Sequence, residues 1–532
     1  MILTDQPDKQ TLPIHTRTVV DFLEFRFTSR LSEISLKTLL VTALWMALAY
    51  GPWLILREIH GDHGFWALLP VVLGFTPLAL WALYDYRLGL MFAIVAAPLL
   101  TAPPIPHGFT QGFGDLFAIC AVTGYVLRHP DPRKWQHLWR REYVWLLLIL
   151  VAAFLSLALS PIWGQGVRYG IKYSLAEIAG YTLAMAYLVV LVHEVRDHLD
   201  IKVVLYAVAA AILLVALFSL ASLIWSLNCV GGYTTRTALT LNGALSSTFS
   251  NPNYQAGYLV TVLPFALWFY LRAQQRSWTW YFAAAAALLL IFFVQATISR
   301  GGFVGLVAIW IGWLAITRWE KGSRMMTVVF GLMLPMTFTF WWYPTYNCHP
   351  SNYSSASSQP ISASSQPISA SSQPISDSIQ QIKFAASVSK GLGDGGVSVR
   401  IELARNAITA WRDYPITGVG AALLSNYSSV DGQINRAHNV MLTVLAEQGM
   451  VGFLVWTGWA GSLLAVFWRA RRQVAKRGHP SAFLLLAFIS VIVQSMFMDY
   501  YRVIWVWQVG ALVLAWGAIA FDLDKEKKRV IQ

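Results

Sequence analysis

Charge is what this chain has least of. Of its 532 residues only 12% are Asp, Glu, Lys or Arg, while 56% are hydrophobic; an ordinary soluble domain has roughly a quarter of its residues charged. The balance marks a membrane protein. Cysteine is scarce too, with three in all, which excludes a disulfide framework and a four-thiolate metal site. Cys120 falls inside an apolar run, whereas Cys229 and Cys348 fall in loops, where one bridge and two free thiols are both open. His60 and His63, with Asp62 between them, have a metal-like spacing but no further ligand nearby, so no metal or other cofactor is expected. The first 37 residues carry acids and no apolar core before Thr38, unlike a cleavable signal peptide.

Long apolar runs are what the chain does have. A hydrocarbon core of about 30 Å needs about 20 apolar residues per helix, and fourteen runs approach that length: 38–56, 64–83, 86–101, 112–127, 144–160, 173–193, 203–226, 254–271, 279–297, 302–317, 325–343, 450–468, 481–498 and 503–521. The expected fold class is therefore all-α, a polytopic membrane protein of about 12–14 transmembrane helices. Short cytoplasmic loops are enriched in Lys and Arg. With both termini inside, about two-thirds of the 39 basic residues fall on the inner side. The net charge of +13 then reflects topology and contact with anionic lipid, and nucleic-acid binding need not be invoked. The chain divides into N-terminal membrane helices (1–343), one long outer loop (344–449), and C-terminal membrane helices with a basic cytoplasmic tail (450–532).

Between Ser355 and Ile375 the heptapeptide SASSQPI occurs three times in tandem. Such a Ser, Pro and Gln segment buries too little apolar surface to offset its ordering entropy and reads as a disordered spacer. Order returns near Val397, where Ile401, Ala404, Ile408 and Trp411 repeat at the spacing of one helical face. This predicts a helix over 397–412, ended by Pro415, Gly418 and Gly420. It would lie on the membrane surface or pack over the mouths of the spans, with Arg400, Arg405 and Arg412 near headgroups or a ligand.

Four elements then fall on the outer side. Arg236 precedes TFSNPN, in which Asn251, Pro252 and Asn253 form a helix-entry signal. SRGG places Arg300 at a span junction. The 397–412 helix and its turn form the third element, and AHNVMLTVLAEQGMVGF, with His438 and Asn439, the fourth. Arginine suits a phosphate ligand, because its planar fork of donors matches phosphate oxygens and stays charged. Histidine takes a proton from a hydroxyl near neutral pH, and two glycines three apart admit close backbone approach.

These residues resemble the O-antigen ligase and polysaccharide polymerase superfamily of bacterial inner membranes. The family's His-Asn, nine residues, Gly-x-x-Gly stands here as His438, Asn439, Gly449 and Gly452. Its SRG stands as Ser299, Arg300 and Gly301, its P-x-x-G-x-G as Pro415, Gly418 and Gly420, and its F-x-N-P-N as Phe249, Asn251, Pro252 and Asn253. The resemblance covers about residues 230–460. Two features depart from the pattern: Arg236 lies fifteen residues before Asn251, and the SASSQPI spacer sits inside the family's catalytic loop.

The resemblance implies a GT-C-like glycosyltransferase architecture with one long periplasmic loop. It implies metal-independent transfer of a glycan from undecaprenyl diphosphate to an acceptor hydroxyl on the periplasmic side of the inner membrane. The acceptor would be a lipid A core sugar or a growing glycan. In that picture His438 is the general base. Arg300, with Arg236, Arg400 or Arg405, neutralises the diphosphate, and Asn439 and Asn253 contact substrate. Two alternatives stand beside it: a solute transporter of the same superfamily, labelled as a bicarbonate or inorganic-carbon carrier, and a protein O-oligosaccharyltransferase.

Overall fold

A computed structural model describes residues 30–60, 65–100, 112–131, 140–161, 168–227, 240–241, 244–245, 247–249, 251–317, 321–342, 395–424, 429–430, 433–434, 437–469, 480–499 and 503–531. Among them are fifteen α-helices: α1 (Leu36–His60), α2 (Phe65–Tyr84), α3 (Tyr86–Val95), α4 (Phe113–Arg128), α5 (Tyr143–Ala158), α6 (Arg168–Glu194), α7 (His198–Leu227), α8 (Pro252–Arg272), α9 (Trp278–Ala296), α10 (Arg300–Thr317), α11 (Lys321–Trp342), α12 (Gly395–Asp413), α13 (Val440–Arg469), α14 (Pro480–Ser495) and α15 (Ile504–Ile531). Four two-residue strands form two small antiparallel ladders, Thr240–Leu241 with Ala244–Leu245 and Ser429–Val430 with Gln433–Ile434. Arg236, Cys229, Cys348 and the SASSQPI repeat lie outside the described residues.

Each apolar run falls on a helix, although the 86–101 run is helical only over Tyr86–Val95 and the 450–468 run is the latter part of a helix that begins at Val440; α12 overlaps the helix expected over 397–412. Inside lipid every backbone N–H and C=O must be satisfied within its own segment, which leaves helix as the solution for such runs. Among the described residues six helices are long and apolar enough to cross a membrane: Ser174–Glu194, Leu199–Ile224, Pro252–Arg272, Trp278–Ala296, Arg300–Thr317 and Val440–Arg469. Shorter apolar helices, among them Tyr143–Ala158, Pro480–Ser495 and Ile504–Ala520, complete the bundle. The chain is an all-α polytopic membrane protein. Its outward surface is apolar: Leu147, Val151, Phe154 and Leu159 at α5 are each more than half exposed, a large patch of the kind that lipid covers.

The bundle has two distinct ends. The starts of α3 and α7 and the end of α6 meet at one of them, where Arg87 Nε lies 2.6 Å from Glu194 Oε2 and the Ser32 N–H donates to Asp200 Oδ1 at 3.1 Å. The start of α5 and the end of α13 also meet there, through Arg469 and Glu142 at 3.8 Å. The other end gathers the close of α5, α9 and α14 with the start of α8, α10 and α13, and it carries the sequence motifs.

The face of α12 differs from expectation. Its buried stripe is Leu403, Ala407 and Ala410, at 3%, 1% and 0% exposed, whereas Ile401 is 56% exposed. Ala407 and Ala410 of the stripe pack with Ala153 and Leu157 of α5, Ile178 of α6 and Ala437 and Ala446 beside and within α13. Small residues win this face because they let α12 approach closely. The helix therefore packs over the mouths of the spans.

Candidate functional site

The motifs are local devices first. Asn251 caps α8, its side chain accepting the Asn253 N–H at 2.8 Å, with Pro252 at the first helical position. Ser299 caps α10 by accepting the Gly302 N–H at 3.2 Å, and its hydroxyl donates to Asn253 Oδ1 at 2.8 Å. The FxNPN and SRG motifs, forty-six residues apart, thus meet through one hydrogen bond. Arg300 opens α10 and is exposed, and it makes no ion pair among the described residues. Asn439 caps α13, accepting the Leu442 N–H at 3.1 Å, and donates to the Met496 carbonyl at 3.2 Å. His438, half-buried, immediately precedes that cap.

The other two motifs interlock. At Gly449 the backbone of α13 leaves helical geometry, with φ 64° and ψ −162°, a region open essentially to glycine alone. In an unbroken helix the N–H groups of Met450 and Val451 would bond to the carbonyls of Ala446 and Glu447. Here the Pro415–Gly420 loop inserts between them. Met450 and Val451 donate to the carbonyls of Pro415 and Ile416 at 2.8 and 3.3 Å, while Val419 and Gly420 donate to Ala446 and Glu447, both at 2.9 Å. All four of these backbone groups are thus satisfied, as burial requires. A Cβ on Gly449 would collide with the Ile416 carbonyl, and one on Gly418, at φ 71°, with the Glu447 carbonyl.

Polar side chains from neighbouring helices bind the same loop. Ser160 and Ser174 donate to the carbonyls of Val419 and Ala421 at 2.5 and 2.6 Å, and Ser156 donates to the Glu447 carbonyl. Glu447, 1% exposed, accepts the Ala422 N–H on Oε2 at 2.9 Å. This loop connects α12 directly to the His438 helix. On α12, Arg400 is half-buried beside the Leu403 stripe, whereas Arg405 is exposed and, at 100° per residue, lies on the opposite face. Arg236 lies outside the described residues.

Backbone strain marks the same end. Among the described residues five non-glycines have positive φ: Ser247, Arg276, Ile298, Ala422 and His438. All but Arg276 flank a motif, and Ile298 is β-branched, for which such a φ is a true outlier. Strained backbone of this kind persists only where its surroundings over-determine it, and it clusters at functional sites.

Gln494, Asp499, Thr443 and Glu447 escaped the sequence reading, although each is a buried polar residue in or beside an apolar run, a pattern that flags function in membrane segments. Thr443 donates to Asp499 Oδ1 at 2.7 Å, and Gln494 donates to the Gly301 carbonyl at 2.7 Å.

The O-antigen ligase family model matches residues 285–457, a stretch holding three of the four motifs, from Ser299 to Gly452. This agrees with the resemblance drawn from the motifs and supports a membrane glycan ligase or polymerase in general. No curated protein matches the chain.

Proposed function

We propose that this protein transfers a glycan from undecaprenyl diphosphate to an acceptor hydroxyl, at a site facing the periplasm of a bacterial inner membrane, with residues 344–449 as its catalytic loop. The acceptor oxygen attacks the anomeric carbon, the bond from that carbon to the diphosphate oxygen breaks, and undecaprenyl diphosphate departs. His438 takes the acceptor proton. Arg300 holds the diphosphate, aided by the N-terminus of α10, whose unsatisfied N–H groups and dipole favour an anion. Arg400 is the better placed of the two α12 arginines to assist it. Arg236 is proposed for the same role from sequence alone, and Arg405 would act only by reaching round from the far face of its helix. Asn253 and Asn439 serve mainly by holding the Arg300 and His438 segments, through the bonds to Ser299 and Met496.

The observation that carries this reading is the meeting of Asn253, Ser299, Arg300, Asn439 and the Gly449 kink at one end of the bundle, with His438 held at φ 50°. In a strain lacking the native gene, His438→Ala is expected to reduce glycan transfer by roughly a hundredfold or more. Transfer at the wild-type rate would remove His438 as the base.

One observation favours a solute transporter instead. Glu177, 3% exposed inside α6, accepts the Tyr181 hydroxyl at 2.5 Å, and a buried ionisable group within a span is a feature of transport pathways. Bicarbonate uptake that Glu177→Gln abolishes and His438→Ala leaves intact would decide for that reading.

A further inference from the structure

We propose that the last turn of α14 and the residues after it, Gln494 to Asp499, set the position of Arg300 relative to His438. Gln494 is the positioning residue for the first and Asp499, acting through Thr443, for the second. The inference rests on the glycan-transfer reading above. It concerns a segment beyond the family match, which ends at 457.

Four bonds reach this short stretch from three different helices. Gln494, 1% exposed, donates from Nε2 to the carbonyl of Gly301, the residue after Arg300, at 2.7 Å. The Met496 carbonyl accepts Nδ2 of Asn439, the residue after His438, at 3.2 Å. Asp499, 4% exposed, accepts the Thr443 hydroxyl at 2.7 Å. Thr443 stands one helical turn after Asn439, its N–H bonded to the Asn439 carbonyl at 2.9 Å. The Asp499 backbone carbonyl accepts the hydroxyl of Tyr254, neighbour to Asn253, at 3.5 Å.

The bonds that matter most run from buried side chains to another helix, so neither water nor the residue's own helix can replace them. The carboxylate to hydroxyl bond is also charge-assisted and correspondingly stiff. Group transfer between two large bound substrates depends on the distance from leaving-group ligand to base, and a 1 Å misplacement costs about a hundredfold. A single stretch bonded to both segments links them mechanically. Arg300 itself is exposed, so its position is set through the backbone of its segment rather than by close packing of its own side chain.

The experiment uses the full chain in nanodiscs with two readouts: affinity for undecaprenyl diphosphate as the probe, and the single-turnover rate of transfer from lipid-linked glycan extracted from host membranes. Gln494→Met keeps the shape and removes the donor; it is expected to weaken probe affinity about tenfold, with a smaller effect on the saturated rate. Thr443→Val is expected to leave affinity unchanged and slow transfer by roughly a hundredfold. Thr443→Ser, which restores the hydroxyl, should recover most of that loss, and adding Asp499→Ala to Thr443→Val should slow transfer no further. Loss of both readouts in proportion to folded protein, without rescue by Ser, would show plain packing bonds and overturn the proposal. Should the wild type not bind the probe, or Arg300→Ala and His438→Ala stay fully active, the glycan-transfer reading falls and the positioning claim with it. Normal behaviour of those controls with no split between Gln494→Met and Thr443→Val overturns the positioning claim alone.

Discussion

The two ends of the bundle solve the problem of buried polarity in different ways. At the end holding the starts of α3, α5 and α7, charged side chains carry the contacts: Glu194 is bonded by Arg87 and by the Tyr86 hydroxyl at 3.0 Å, Asp200 accepts the Ser32 N–H at 3.1 Å, and Arg128 donates to the Tyr84 carbonyl. At the motif end, polar side chains bond mostly to backbone. Ser156, Ser160, Ser174, Gln494 and Asn439 all donate to carbonyls of other segments. The first arrangement fastens helices by side chains in ordinary backbone geometry, while the second fixes backbone in geometries it would not otherwise hold. Four of the five positive-φ non-glycines belong to the second end, as expected where strain is maintained for function.

Substitutions can break this contrast. Arg87→Ala leaves Glu194 buried without its cation and should cost about 3–5 kcal/mol of stability, while glycan transfer per folded molecule stays at the wild-type level; thermal unfolding beside a transfer assay checks both. Gly449→Ala acts at the other end and should cost about 3 kcal/mol. Unlike the first variant, the surviving folded protein should be defective in transfer, because the clamp linking α12 to the His438 helix is sprung. Equal activity per folded molecule in both variants would erase the distinction drawn between the ends.

Smaller effects sharpen it. Arg300→Lys keeps the charge and loses the planar fork, and it should lower transfer by nearly as much as Arg300→Ala, roughly a hundredfold, with little change in unfolding temperature. Full activity with Lys would make Arg300 an interfacial anchor. Deletion of residues 355–375 should have the least effect, keeping transfer within about twofold, since loop-closure entropy changes slowly with length. Loss of activity on deletion would show that the repeat is more than a spacer.

Much of the helical layout was legible in the residues. Composition in lipid translates almost directly into helix, and the fourteen runs and the 397–412 helix each fall on a described helix, the 86–101 run only as far as Val95. Burial within the bundle did not follow from apolarity. On α12 the larger Ile401 stays exposed, and the close contact goes to Ala407 and Ala410, whose small side chains let the helix approach its neighbours. The start of α13 was also hidden, because Val440 to Gln448 is interrupted by the polar pair Glu447 and Gln448 and reads as loop; the structure shows those two buried at the kink.

By itself the sequence determined a polytopic helical membrane protein and the order of its motifs, and it is the source of the proposal that His438 serves the acceptor and Arg300 the diphosphate. These follow from apolar length, helix-entry residues and side-chain chemistry, all of which act locally along the chain. Only the tertiary structure decided that Pro415–Gly420 threads into α13 at Gly449, that Arg400 and not Arg405 flanks the buried face of α12, and that Gln494 and Asp499 tie the two proposed site segments together. Those outcomes depend on hydrogen bonds between residues far apart in sequence, for example the 193 positions separating Gly301 from Gln494, and no local pattern encodes such a pairing.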